Sequence, residues 1–303
     1  MKWNEKATEF SCQVESGILF FIREDNKICI TGFDGFGGSL SVPEAIGGYP
    51  VCRIGKKAFL GNKSLCHIIL PESLEWIGDW AFCNCMQLQK IEFPHRQLIL
   101  GKGLFAKDEK LCEIIDRKTR EENTFPARLL AAAVTLLEAE YLLDMTQAGT
   151  DKWYRQLDNR LLTMLTEPPE SALKDLVYCA EEDMGAKQEA CLEEQNRKKA
   201  YMALLRLAYR ERLEKAAEEK LKGCLLNSEG LQTKAAWTII KEAIGTQQLV
   251  FCDVILQIGG IREENLPAVL EDLGETKVEL KAHLLKQWEQ RKEQTSVWET
   301  LIL

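Results

Sequence analysis

The sequence predicts an α+β, two-part repeat protein: a short strand solenoid followed by an all-α helical-hairpin repeat domain. Three observations predict it. Apolar and glycine positions recur every 23 residues from residue 54 onward. After about residue 120 the chain turns to long runs of Ala, Leu, Glu, Lys and Gln, the strong helix formers. The charge changes at the same place: residues 1–120 carry 16 Lys+Arg and 15 Asp+Glu, whereas the rest carry 23 and 32. The expected domains are therefore 1–120 and 121–303.

The repeat is read position by position. IGKKAFLGNKSLCHIILPESLEW, IGDWAFCNCMQLQKIEFPHRQLI and LGKGLFAKDEKLCEII start at residues 54, 77 and 100. Matched columns are Ile54/Ile77/Leu100, Gly55/Gly78/Gly101, Ala58/Ala81/Leu104, Phe59/Phe82/Phe105, Leu65/Leu88/Leu111 and Ile68/Ile91/Ile114. Pro71 and Pro94 close the strands. A period of 20–29 residues with recurring apolar positions means one strand and one turn per unit, each stacking its inward residues on its neighbours. Leu65, Ile68, Leu70, Leu74, Ile77 and Phe82 form the first inward set.

The phrase L-x-x-I-x-[LF]-P followed by I-G-x-x-A-F, led in by IGGYPVCRIGKKAF, resembles the bacterial surface-antigen (BspA-like) class of leucine-rich repeats over roughly residues 18–115. The resemblance implies a leucine-rich solenoid, and a family mostly associated with secreted or cell-surface adhesion and host-protein binding. It also implies that ILFFIREDNKICITGFDGFGGSLSVP supplies the antiparallel hairpin and irregular first unit with which such arrays often begin. Solenoids need such caps to cover the end of the stacked core. Within it, GFDGFGG reads as a hairpin turn using left-handed glycines rather than a phosphate loop, because strand-like SLSVP follows it where a phosphate loop needs a helix N-terminus.

The second part is helical in order. PARLLAAAVTLLEAEYLLD predicts a helix near 126–144, with Pro126 suited to the first turn. TDKWYRQLDNRLLTMLTE predicts another, ended by Pro168-Pro169, and ESALKDLVYCAEED a third. From Ala186 to Leu221 the helical pattern is almost unbroken and fits one long helix or two. KAAWTIIKEAIGTQQLVFCDVILQIGG and ENLPAVLEDLGETKVELKAHLLKQ align at an offset of 29, pairing among others Phe251/Leu280, Ile255/Leu284 and Leu256/Leu285. Each is a helix, a glycine turn and a second helix. The pair resembles a shortened, degenerate ankyrin-type hairpin without the usual T-P-L-H phrase.

Composition excludes several classes. With 46% hydrophobic and 28% charged residues the chain is neither disordered nor fibrous. It has no run of eighteen apolar residues, so no membrane span is expected. The acidic second part argues against nucleic acid, which needs a net basic face. The first twenty residues lack a signal-peptide pattern, which points to the cytoplasm, with the cell surface as the alternative. Eleven cysteines, an odd number, then read as reduced thiols. Cys66 and Cys112 share a column and are expected to pack. Cys85 shares the turn column of Asn62 and Asp108, where these repeats place Asn or Cys. Cys83-Cys85 lacks the second pair that zinc would need.

His67, His95 and His283 have no catalytic partner nearby in sequence. The run Arg197–Lys220 is broken by glutamates and reads as a solvated face laced with i,i+4 ion pairs. Trp153, Trp237, Trp288 and Trp298 read as core residues, and the tail TSVWETLIL as docked. No cofactor, metal or catalytic residue is expected.

The expected function is a non-catalytic protein-interaction or scaffold module, its partner a protein. Its contact residues face outward on the repeat strands: His67 and Ile69, Lys90 and Glu92, Glu113 and Ile115. The alternatives are a truncated or unconventionally exported adhesin, and an enzyme with its site at the junction of the two halves.

Overall fold

The computed structural model describes residues 9–118, 127–168, 184–227, 230–231, 234–243 and 246–301. They form two compact units, residues 1–160 and 161–303. The first unit opens with an antiparallel meander of β1 (Phe10–Val14), β2 (Gly17–Glu24) and β3 (Lys27–Gly35). Asp25 and Asn26 turn β2 into β3 at φ 49° and 60°, the residue types that tolerate the left-handed pair of a two-residue hairpin turn. β3 then pairs in parallel with β6 (Tyr49–Ile54), so the meander covers the N-terminal edge of the repeat sheet. Two short strands, β4 (Ser39–Ser41) and β5 (Ala45–Ile46), precede β6.

From there each turn of the solenoid gives one strand to each of two parallel sheets. One continues from β6 through β8 (Trp76–Ile77) to β10 (Ile99–Leu100); the other runs β4, β7 (His67–Ile69), β9 (Lys90–Phe93), β11 (Glu113–Asp116). The second strand of each unit was not expected from the repeat, because two residues leave no alternation to read. Between the sheets, Leu65, Ile68, Leu70, Leu74, Ile77 and Phe82 are all fully buried. The Phe column stacks: Phe59–Phe82 and Phe82–Phe105 ring centroids are 5.3 and 5.4 Å apart and nearly coplanar.

The turns stack as well. Lys57, Phe59 and Gly61 donate backbone N–H bonds to Asp79, Ala81 and Cys83, and Trp80, Phe82 and Asn84 donate to Lys102, Leu104 and Ala106. Two left-handed positions recur in each turn, Lys57/Trp80/Gly103 and Gly61/Asn84/Lys107. For a residue with a Cβ that conformation costs roughly 1–2 kcal/mol, which bears on Trp80 below.

The Gly55/Gly78/Gly101 column has a different cause, close approach. A Cβ on Gly78 would lie 2.6 Å from the Lys56 nitrogen and 2.9 Å from the Gly55 carbonyl carbon. Gly78→Ala is expected to destabilise the first unit by about 1–3 kcal/mol, the usual range for forced overpacking. A urea midpoint equal to that of the native protein would refute this. Close approach also explains two of the four glycines of GFDGFGG. Gly32 and Gly35 lie in β3 and none of the four glycines is left-handed, contrary to the hairpin-turn expectation. A Cβ on Gly35 would instead overlap the Phe33 ring at 2.1 Å, and one on Gly37 would meet Ser16 at 2.7 Å.

After the strands come α1 (Ala127–Leu137), a 3-10 turn (Glu140–Leu142) and α2 (Asp151–Thr166). The helix expected to 144 stops at Leu137 because Glu138 is left-handed at φ 52°. α1 packs along β11 and buries Leu129, Leu130, Ala131–Ala133, Val134 and Leu137. Trp153 is buried, its Nε1 donating to the Leu142 carbonyl. The composition change near 120 thus marks where strands give way to helices, while α1 packs on β11 and the first compact unit runs on to residue 160.

The second unit centres on α3 (Met184–Ala208), against which pack α4 (Lys215–Leu225), α5 (Lys234–Glu242) and α6 (Thr246–Gln257). The pattern that fitted one helix or two is two. Arg206, fully buried, donates to the carbonyls of Tyr209 and Glu211 just beyond the end of α3, and Arg210 Nε donates to the Leu207 carbonyl in its last turn. The pairs aligned at an offset of 29 are α5 with α6, and α7 (Leu266–Asp272) with α8 (Val278–Leu301), which packs on α6. Their likeness is partial. Phe251/Leu280 and Ile255/Leu284 are buried in both, but Leu256 is buried and Leu285 exposed. Trp237 and Trp288 are half-buried rather than core. The segment ESALKDLVYCAEED and the Trp298 side chain lie outside what is described, as does the docking expected of the tail.

Candidate protein-interaction face

The β7–β9–β11 sheet brings the six expected contact residues together. His67 stands opposite Lys90, and Lys90 opposite Glu113; Ile69 stands opposite Glu92, and Glu92 opposite Ile115. Alternation explains this, since Ile68, Ile91 and Ile114 between them point into the core and are fully buried. The result is two rows across three strands, with Glu92 central between two isoleucines.

The face differs from the expectation in one respect. Five of the six residues are half-buried, and Glu92 is fully buried rather than presented outward. A carboxylate can be buried there because it is paired: Oε1 lies 3.0 Å from His67 Nε2 and 3.3 Å from Lys90 Nζ. Glu113 lies 3.8 Å from Arg128 Nε of α1. The six residues are therefore one ionic and apolar cluster on one face, rather than six independent contacts.

Every histidine has a carboxylate that the local sequence did not offer. His95 Nδ1 lies 2.7 Å from buried Asp116, and His283 Nε2 lies 2.6 Å from Asp253. The signal was present for the first two. His67–Glu92 and His95–Asp116 are separated by 25 and 21 residues, within two of the repeat, so partners sit on adjacent turns. His283–Asp253, 30 apart, is close to the offset of the helical pairs in the same way.

The turn column behaves as a polar ladder. Asn62 Oδ1 accepts N–H bonds from Ser64 and Leu65, and Asp108 Oδ1 accepts the Cys85 N–H at 2.7 Å. Cys85, fully buried, points its Sγ at the Phe59 carbonyl, 3.1 Å away. Burial pushes the Cys85 and Cys252 thiols up to about 12 and that of Cys29 to about 11, so these thiols stay protonated and unreactive at neutral pH. Cys112 is a correction: it is exposed, although it shares a column with half-buried Cys66. Its Sγ lies 3.4 Å from the Gln89 carbonyl.

In the second unit two i,i+4 ion pairs form at the edges of the basic run, Lys198–Glu194 and Lys222–Glu218, each with one member outside residues 197–220. Among the described residues no three His, Cys, Asp or Glu side chains are placed to hold a metal ion, and no helix is long and apolar enough to cross a membrane.

Comparison with known proteins agrees with this geometry in the strand array. Residues 36–126 match the family described as the BspA type leucine rich repeat region, in six copies. The match ends where α1 begins and does not reach the other helices. No curated protein matches the chain. Among solved structures, the chain is similar to a leucine rich cell surface protein from Faecalibacterium prausnitzii at 24% identity, covering 36% of this chain and 30% of that one (TM-score 0.29). It is similar to the T. pallidum leucine rich repeat protein at 23% identity over 35% of this chain and 64% of that one (TM-score 0.28). A Bacteroides capillosus leucine-rich repeat protein is 19% identical over 35% of this chain and 98% of that one (TM-score 0.27). The chain thus spans less than two thirds of the length of the first two. Leucine-rich repeat proteins generally mediate protein–protein interaction or adhesion.

Proposed function

We propose that the protein is a non-catalytic protein-binding module or scaffold, using the outer face of its repeat sheet and the outward sides of its helices. The observation that carries this reading is the register that sets Ile69 and Ile115 on either side of Glu92. The two isoleucines are half-buried at the surface, and the one carboxylate between them is already paired with His67 and Lys90. A partner covering the face would gain apolar contact without stranding a carboxylate, which is what makes an interface centre favourable. The stacked turns beneath hold the face rigid, so little ordering entropy is lost on binding.

The test changes Ile69 and Ile115 together to Lys. Partner capture from native lysate is expected to be lost while the thermal transition stays in place. Undiminished capture by the folded double variant would exclude this face. The reading includes a cytoplasmic location, with the cell surface as its alternative. Fractionation of native cells separates the two.

A further inference from the structure

The stacked turns between the two sheets form a second face, distinct from the strand face above. Lys56, Lys57 and Lys63 project from one turn and Lys102, Lys107 and Lys110 from the turn two repeats on, and all six are exposed. Asp79 and Glu109 are the acidic residues exposed or half-exposed on these turns. Asp79 is already engaged, by the Lys102 backbone N–H at 3.0 Å and by Lys56 at 3.9 Å. Lys110 donates to Gln87. Among the described residues, Lys57, Lys63, Lys102 and Lys107 form no ion pair.

Between these turns stands Trp80, in the left-handed column it shares with Lys57 and Gly103. A bulky residue is costly in that conformation and glycine is not, so the indole persists against the preference of its own backbone. Trp80 is 39% exposed, among the exposed large apolar residues rather than the core. What it does hold is charge. Lys56 Nζ lies 4.7 Å and Lys57 Nζ 5.5 Å from the ring centroid, a cation–π arrangement that gathers two ammonium groups at one point. Beneath, the ring lies against Gly103, where a Cβ would come within 2.8 Å of it.

We propose that this turn face, centred on Trp80 with Lys56 and Lys57, binds an acidic polypeptide segment. Rows of lysines two strands apart are separated by roughly 10 Å, which long Lys and Glu side chains bridge from carboxylates on alternate residues of an extended chain. Nucleic acid fits less well. The ring is already occupied by two ammonium groups and Gly103 rather than open for a base to stack, and residues 1–120 are nearly neutral overall, with 16 basic and 15 acidic residues.

The intact chain is titrated with a fluorescent Glu-rich peptide at low and at physiological salt, alongside an oligothymidylate of equal charge. The expected result is peptide binding that weakens as salt rises, falling about tenfold in the double variant Lys56→Glu/Lys57→Glu. Trp80→Gly is expected to weaken binding severalfold while its melting temperature holds or rises, since glycine relieves the left-handed backbone. An equal charge change on helices, Lys152→Glu with Lys215→Glu, is expected to leave binding as it was. The proposal is overturned by absence of peptide binding at low salt, or by an equal loss in the helix control. Tighter binding of the oligonucleotide would assign the face to nucleic acid. Self-association of the chain that the Lys56/Lys57 reversal abolishes would assign it to a second copy.

Discussion

Phe82→Ala is expected to destabilise the first unit by about 3–5 kcal/mol, the range for removing a fully buried phenylalanine ring. The physical case rests on its place in the ladder. Phe82 is fully buried and stacks on Phe59 at 12° and on Phe105 at 7° between ring planes. Each turn of a solenoid contacts only its neighbours, so a cavity in the middle turn weakens both interfaces at once. Such a loss is a large part of the 5–15 kcal/mol that holds a typical domain folded. Phe82→Leu, which refills much of the volume, is expected to cost well under half as much. Urea unfolding followed by circular dichroism measures both, and a loss below about 1 kcal/mol in the alanine variant would mean that the ladder does not couple the turns.

Asp108→Asn is expected to abolish a pH dependence of stability. Asp108 is buried in the turn ladder, its Oδ1 accepting the Cys85 N–H and its Oδ2 buried with no hydrogen-bond partner. Burial raises its pKa from 3.8 to about 8 despite the backbone bonds that favour the charged form. The folded state therefore holds a proton that the unfolded state has released through the window between those values. Stability is highest below pH 4 as far as this group is concerned. It falls by about 1.4 kcal/mol for each pH unit as the pH rises, and levels off above about 8. Asparagine, which Asn62 places in the same column, carries no charge to desolvate. The variant is expected to gain on the native protein steadily from pH 5 to pH 8, by several kcal/mol in all. Denaturation curves across that range decide it: a constant difference between the two proteins would show that Asp108 is ionised when folded.

The repeat columns were legible because a stacked turn demands the same residue type at the same place. The 23-residue spacing therefore located Ile68, Ile91 and Ile114, all now fully buried. The same spacing held a second message that a reading for core positions passes over. Partners on adjacent turns are about one period apart, which would have paired His67 with Glu92 and His95 with Asp116. Exposure was less legible. Cys66 and Cys112 share a column, yet one is half-buried and the other exposed, since burial depends on what lies over the turn and not on the turn itself. The contact rows illustrate the same point: alternation put Glu92 on the outer face correctly and presented it as accessible incorrectly. The break after α3 carried no glycine or proline to announce it; buried Arg206, near its end, takes up carbonyls of the segment that follows the helix.

The sequence by itself determined the two-part architecture, the register of the strand repeats and the helices that follow, because period and propensity are properties of neighbours along the chain. Tertiary structure alone decided how deeply each charged group is buried. Glu92 is fully buried beside His67, Asp108 is buried in the turn ladder, and Trp80 gathers Lys56 and Lys57 on an exposed turn. Electrostatic energy depends on distance and burial in space, and neither is set until the turns have stacked.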